Sequence, residues 1–380
     1  MDGRSDLAMI LMPLSMCRPG MILAKKILSE EGIVLLGERM ELTARIIERL
    51  KECHINFLYI QDEFTDDIVM PELISEDTMR VAMTEIRSSF RQMMDAPPRK
   101  RGVAYPFVGK QLADVMNRVI DDLTSHKESV VMLMNMASID HYLYQHSLNV
   151  CVYTTMLGIS HGYSRDELMM LGMGALLHDV GKTRISSGVL KKPGTLTREE
   201  YEEMKRHTLY GHEMLKNEPN IPPLAALCAL QHHERLDGSG YPHGLAGKEI
   251  HDFSKWIGVV DSYDAMTTNR IYRNPMLPHQ AVEALYAGTG TQYEQSMVQL
   301  FRDKVAIYPI GMTVRLQTGE VGVVVDVRAS CPHRPIVRVL QDDVGMRLNA
   351  PYEIDMSLQL TRMIAGVNDE QPEEPAAVGV

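Results

Sequence analysis

Histidine on the buried face of a helix is the feature that most restricts how this chain can fold. Leu143, His146, Val150, Tyr153 and Leu157 recur at i, i+3, i+7, i+10 and i+14, the spacing of one helical stripe. Leu168, Leu171, Ala175 and His178 repeat the pattern on the next helix. A buried imidazole costs free energy unless both ring nitrogens find partners. Taken alone, either residue reads as a core histidine bonded to a backbone carbonyl.

The neighbours favour more than core packing. Asp179 follows His178 directly, and the pair offers one neutral nitrogen and one carboxylate able to bridge two cations. Lys182 places an ammonium one turn beyond His178, and His207, the pair His232-His233 and Asp261 follow. Imidazole and carboxylate donors without thiolates suit Fe, Mn, Zn, Ni or Co rather than a soft metal. The five cysteines (Cys17, Cys53, Cys151, Cys228 and Cys331) are odd in number, scattered and free of any CxxC. A disulfide framework is therefore disfavoured and a reducing cytoplasm is expected. The longest apolar run, Leu168 to Leu177, falls short of the roughly 18 residues of a membrane span.

Patterning divides the chain. Residues 1–70 read as a small α/β unit, with Thr43 capping a helix that presents Ile46, Ile47 and Leu50. Residues 71–106 read as a helix and an exposed linker ending at DAPPRKRG. From 107 to 305 the pattern is helical. Val108, Leu112, Val115, Val119 and Leu123 form one stripe, and Ser164-x-x-Glu167 and Thr197-x-x-Glu200 read as capping boxes. At 306–362 the period changes to two: Val321, Val323, Val325 and Val327 alternate after a Thr318-Gly319-Glu320 turn, predicting a small β-barrel-like module. The acidic segment 363–380 reads as a disordered tail.

Five blocks in order carry a resemblance: DHYLYQHSLNV (140–150), HDVGK (178–182), RHTLYGHEML (206–215), HHERLDGSGYP (232–242) and DSYDAMTTNRIYR (261–273). Together they resemble the HD-GYP family of the HD phosphohydrolase superfamily. The resemblance implies a mainly α fold, the HD-superfamily helical bundle, flanked here by the small N-terminal α/β unit and the C-terminal β module. It implies metal ligands at His146, His178, Asp179, His207, His232, His233 and Asp261, with Asp179 bridging two divalent ions, Fe or Mn first and Zn, Ni or Co as alternatives. His146, His178 and Asp261 would complete one site; His207, His232 and His233 would complete the other. Some members hold a third metal through a glutamate four residues before the first histidine. Tyr142 stands there, so two metals are expected.

The activity implied is hydrolysis of cyclic di-GMP to pGpG, GMP or both, by hydroxide activated between the two metals. His178, Asp179 and Lys182 are the expected catalytic residues, with Lys182 neutralising charge on the phosphate. Arg270 and Arg273 are expected to clamp the second phosphate, because a planar guanidinium bonds two oxygens at once, and Lys182 is counted with them among the substrate contacts. Asp264 is expected to contact substrate or to orient a ligand or the arginines, with helix capping as an equal alternative. Gly238 and Gly240 are expected to shape a tight loop around Tyr241 that could meet a signalling partner. The terminal modules are assigned homodimerisation, partner binding or sensing. Two other readings stand beside this one: hydrolysis of another cyclic dinucleotide or phosphoester, and a module that senses the nucleotide without cleaving it. Lys+Arg 39 against Asp+Glu 50 gives a net charge of −11, which argues against general nucleic-acid binding but not against a local nucleotide site.

Overall fold

The computed structural model describes residues 10–28, 34–52, 55, 57–65, 67–68, 73–95, 108–125, 131–132, 142–192, 194–268, 276, 278–328 and 330–367. These fall into two compact units. One comprises the described residues of Met1–Pro71, Met132–His141 and Val305–Val380; the other comprises those of Glu72–Val131 and Tyr142–Lys304.

In the first unit, strand β1 (Ile10–Pro13) pairs antiparallel with β4 (Phe57–Ile60), and β2 (Ile27–Leu28) pairs with β3 (Val34–Leu36). Between them lies α1 (Ala44–Glu52), whose first turn is held by Thr43 Oγ1 accepting from Ile46 N at 3.2 Å. Ile47 and Leu50 of α1 enter a core with Leu23, Leu42, Leu58 and Ile60. Val323 belongs to that same core although it lies some 270 residues further along the chain.

The two-residue strands β5 (Val131–Met132) and β6 (Val305–Ala306) precede the C-terminal sheet. This sheet comprises β7 (Thr313–Leu316), β8 (Val321–Asp326), β9 (Ile336–Gln341), β10 (Arg347–Asp355) and β11 (Ile364–Val367), antiparallel in the order β10-β9-β8-β7-β11. Gly319, at φ +99°, makes the turn between β7 and β8. The expected alternation of Val321, Val323, Val325 and Val327 is broken. Register shifts flank Gly322–Val324, and Val323 and Val324 are both buried although adjacent. Among the described residues the outer strands β10 and β11 are not paired with each other, so the strands described form a bulged sheet rather than a closed barrel. The sheet also runs past the expected boundary at 362. Ile364–Val367 satisfy the backbone edge of β7, a demand that acidic composition does not reveal. Residues 368–380 of the expected tail lie outside the described residues.

The first unit is also tied together by charge. Arg338 of β9 donates to Phe64 O at 2.7 Å, to both oxygens of Asp67 at 2.6 and 2.7 Å, and to Glu353 Oε1 at 2.6 Å. The N-terminal segments and the C-terminal sheet therefore share one core and one ion-pair network.

The second unit is helical: α2 (Glu76–Asp95), α3 (Val108–Ser125), α4 (Tyr142–His161), α5 (Arg165–Leu177), α6 (Ser187–Leu190), α7 (Arg198–Lys205), α8 (His207–Leu215), α9 (Pro223–Gln231), α10 (Asp252–Thr267), α11 (Pro278–Ala287) and α12 (Gln295–Lys304). All five residues of the α3 stripe are buried. Both capping boxes are present, Ser164 with Glu167 at α5 and Thr197 with Glu200 at α7. Pro223 opens α9 at a position where its missing N–H costs nothing. Among the described residues no helix is long and apolar enough to cross a membrane.

Candidate metal centre

Five helix ends or faces converge. His146 lies in the first turns of α4, and Asp261 and Asp264 face it from α10. His178 is the residue at which α5 stops, and Asp179 leads into a 3-10 turn, Val180–Arg184. His207 opens α8, and His232 closes α9 with His233 next to it. The helix expected to carry Lys182 one turn past His178 has thus ended. In the tighter turn Lys182 instead falls three residues from Asp179, and its Nζ lies 2.5 Å from Asp179 Oδ2. The turn packs on α8 through Gly181 and Gly211, where absent side chains let the two backbones meet.

His146, His178, Asp179, His207 and His232 are all at most 1% exposed, and Asp261 is at 6%. Their donor atoms form two groups that share Asp179: His146 with His178, and His207 with His232 and His233. Asp261 closes the first group, its Oδ1 3.1 Å from His146 Nε2 and 3.9 Å from His178 Nε2. Asp179 Oδ2 is 3.5 Å from both of those nitrogens, while its Oδ1 is 3.4 Å from His207 Nε2 and 3.7 Å from His232 Nε2. All seven residues expected as ligands are therefore brought together.

The outer ring nitrogens explain which atoms face inward. His178 Nδ1 lies 2.6 Å from Ala175 O, His207 Nδ1 2.7 Å from Met204 O, and His232 Nδ1 3.1 Å from Cys228 O. A carbonyl oxygen only accepts, so each Nδ1 must carry the proton and each neutral ring points a lone pair inward from Nε2. His146 is fixed by a side chain instead, with Asp264 Oδ2 2.7 Å from its Nδ1. Asp264, expected to touch substrate or to orient a ligand or the arginines, is 3% exposed and orients His146. Asn149 Nδ2 donates to its other oxygen at 3.0 Å, a contact that no sequence pattern announced.

Lone pairs aimed at one another repel, and His207 Nε2 stands 3.3 Å from His232 Nε2. Protonation is a poor remedy here. Burial pushes the His178 imidazole down to about 4 and the His207 imidazole down to about 3, despite the nearby Asp179 charge. Burial would raise the Asp179 carboxyl, but the Lys182 ammonium and the surrounding rings hold it well below the usual carboxylate range. His178 Nε2 and Asp179 Oδ1 are buried without a hydrogen-bond partner among the described residues. Neutral imidazoles and ionised carboxylates that converge without protons between them fit divalent cations.

One wall is the loop around Gly240-Tyr241-Pro242. Gly238 has φ +78°, and a side chain on Gly240 would collide with the backbone of Glu234 and Arg235. Tyr241 stacks on His233 with ring centroids 4.7 Å apart. Sequence reasoning missed the loop's anchor: Glu234, 5% exposed, accepts from His243 N at 2.8 Å and Leu245 N at 2.9 Å. His251, which no partner pattern in the sequence joins to the site, has a structural role: it caps α10 by accepting from Phe253 N at 3.1 Å. His212 bonds Ala226 O at 3.2 Å and ties α8 to α9. Arg270 and Arg273 lie outside the described residues, as does the side chain of Tyr142.

Residues 131–297 match the family model of the HD domain, and residues 313–374 match that of a KOW domain associated with HD domain. A cyclic di-GMP phosphodiesterase of Pseudomonas aeruginosa is 31% identical over 227 residues, covering 60% of this chain and 55% of that protein. A cyclic di-GMP phosphodiesterase response regulator of Xanthomonas campestris is 41% identical over 138 residues, 36% of each. The chain thus spans about half or less of these relatives' length. Among solved structures, an HDG"Y"P protein from Bdellovibrio bacteriovorus aligns with a TM-score of 0.50 at 16% identity, covering 78% of this chain and 98% of that one, a likeness of fold alone.

Proposed function

We propose that this chain, whose residues 131–297 match the family model of the HD domain, is a metal-dependent phosphodiesterase of the HD-GYP kind acting on cyclic di-GMP. The observation that carries the reading is the convergence of five imidazoles and two carboxylates, four of the rings fixed through Nδ1 so that Nε2 faces inward. His146, His178, Asp179 and Asp261 would hold one divalent ion, Fe or Mn by preference, and Asp179, His207, His232 and His233 a second. Such ions supply Lewis acidity toward phosphoryl oxygens and acidify water near neutral pH.

The chain's own groups do the rest. Asp264 fixes the His146 ring, and the backbone carbonyls fix three others, so the donors need no reorganisation when a cation or substrate arrives. Lys182, whose side chain is 17% exposed, brings a positive charge beside Asp179 to the place where phosphate charge must be neutralised. Arg270 and Arg273 remain the proposed clamp for the second phosphate. Tyr241 and the Glu234-anchored loop close one side against water.

The test combines elemental analysis with cyclic di-GMP turnover for wild type, His178→Ala and Asp179→Ala. The expected result is metal-dependent cleavage in wild type and loss of both metal and turnover in the variants. Metal-loaded wild type that binds the nucleotide without cleaving it would replace the enzyme by a sensing module. A cytoplasmic location, a homodimer and a partner docking on the Gly240-Tyr241-Pro242 loop belong to the same proposal. Fractionation, sedimentation and pull-down with a Tyr241→Ala control test them.

A further inference from the structure

Helix α7 buries none of its residues, yet it is firmly placed. Its start is closed by the Thr197–Glu200 capping box, Lys192 Nζ bonds Glu200 at 2.6 Å, and Glu203 Oε1 accepts from Ser186 N at 3.1 Å. Its C-terminal end abuts His207 of the metal centre. A helix held in this way without contributing to a core is a platform for whatever its side chains present.

Tyr201 and Lys205 stand one turn apart on it. Tyr201 is 49% exposed, unusual for a large aromatic ring beside a buried polar site. Lys205 Nζ lies 5.4 Å from the Tyr201 ring centre and 5.9 Å from that of Tyr241, which in turn stacks on His233. Ring, ammonium, ring and ligand histidine thus form a continuous path from solvent to the metal centre. Among the described residues the ammonium's ion pair is with Glu202, at 2.7 Å, whose own side chain is 58% exposed. Such an exposed pair is weak and readily exchanged for another anion.

Resting on the phosphodiesterase reading, we propose that Tyr201 and Lys205 form a nucleotide-binding rim, with the free face of Tyr201 stacking on one purine of the cyclic dinucleotide. Lys205 exchanges Glu202 for a phosphate oxygen of the same ligand. Every base offers a π-face, so the rim contributes affinity without choosing between guanine and adenine.

The experiment measures kcat and KM of metal-loaded wild type, Tyr201→Ala, Tyr201→Phe and Lys205→Ala on cyclic di-GMP, 3'3'-cGAMP and bis(p-nitrophenyl) phosphate, with metal content for each. Tyr201→Ala is expected to raise KM for cyclic di-GMP about tenfold, with kcat changed by less than about twofold. Tyr201→Phe restores the KM, because the stacking ring is kept. Lys205→Ala raises KM and weakens its rise with salt. The ratio of kcat/KM for either dinucleotide to that for the small diester falls in Tyr201→Ala. An unchanged KM in Tyr201→Ala, a loss of metal in that variant, or failure of phenylalanine to rescue it overturns the rim while leaving the enzyme reading intact. Wild type that cleaves the small diester but neither binds nor cleaves a cyclic dinucleotide overturns the substrate reading, and the rim with it.

Discussion

Gly181 lies so close to His207 that a Cβ built on it would stand 1.9 Å from the His207 carbonyl oxygen and 2.5 Å from Gly211 N. Backbone cannot yield as a flexible side chain can, so Gly181→Ala must move α8 or unwind the 3-10 turn. A loss of about 3 kcal/mol in stability is expected. Metal should be lost with it, since the displaced elements carry Asp179 and His207. Urea melts and elemental analysis check this, and a variant with wild-type midpoint and metal content would contradict the packing described.

Asp264→Ala removes the one Nδ1 anchor of the four that, among the described residues, is a side chain rather than a backbone carbonyl. Metal affinity should fall by about 10- to 100-fold, the usual effect of deleting such an orienting partner. Asp264→Asn, which retains an accepting oxygen, should lie between. Competition with a chromophoric chelator measures it, and equal affinity in Asp264→Ala and wild type would remove Asp264 from the site.

Acid should destabilise the metal-free protein through its buried imidazoles. In the folded chain His178 and His207 resist protonation down to about 4 and about 3, against an ordinary value of 6.5. Below pH 6.5 the unfolded chain therefore takes up protons that the native state refuses. Stability is full well above 6.5 and declines as pH falls through 6.5 toward the folded values of about 4 and about 3, by about 1 kcal/mol per histidine at pH 5.5. Urea midpoints of chelator-treated protein at pH 7.5 and 5.5 are the measurement. A midpoint that rises on acidification would mean that these rings are charged in the native state.

Glu234→Ala would strip two backbone N–H groups, those of His243 and Leu245, of a shared carboxylate. A cost of about 2 kcal/mol is expected, with faster proteolysis within residues 236–246. Glu234→Gln should recover only part, because one oxygen becomes an N–H donor facing an amide donor. Limited proteolysis combined with thermal melts distinguishes this from a surface substitution, which would leave both unchanged.

His146 and His178 stood out because they occupy positions where a 3.6-residue period demands apolar side chains, whereas the full set of seven expected ligands came from the resemblance of the five sequence blocks. The core reading and the ligand reading of these residues turn out to be compatible. His178 does bond a backbone carbonyl, as a core histidine would, and that bond is what aims its other nitrogen inward. The end of α5 at His178 was not legible, because its stripe of Leu168, Leu171, Ala175 and His178 runs up to the stopping point without a proline to mark it. Nor was the union of Leu23 with Val323 in one core, or of Asp67 with Arg338, since local periodicity carries no information about partners so distant in sequence. Glu234 and Asn149 were hidden for another reason: a carboxylate or amide gives no sign in sequence of which backbone or side chain it will reach.

Three of the four anchored rings are held by main-chain oxygens, at Ala175, Met204 and Cys228. Every amino acid supplies the same carbonyl, so these anchors survive substitution of the residues that provide them for as long as the helices stand. The His146 anchor is a side chain and can be altered one atom at a time. Tuning of the centre by mutation, whether by selection or by design, has its most direct handle at position 264, while the remaining orientation is inherited with the fold.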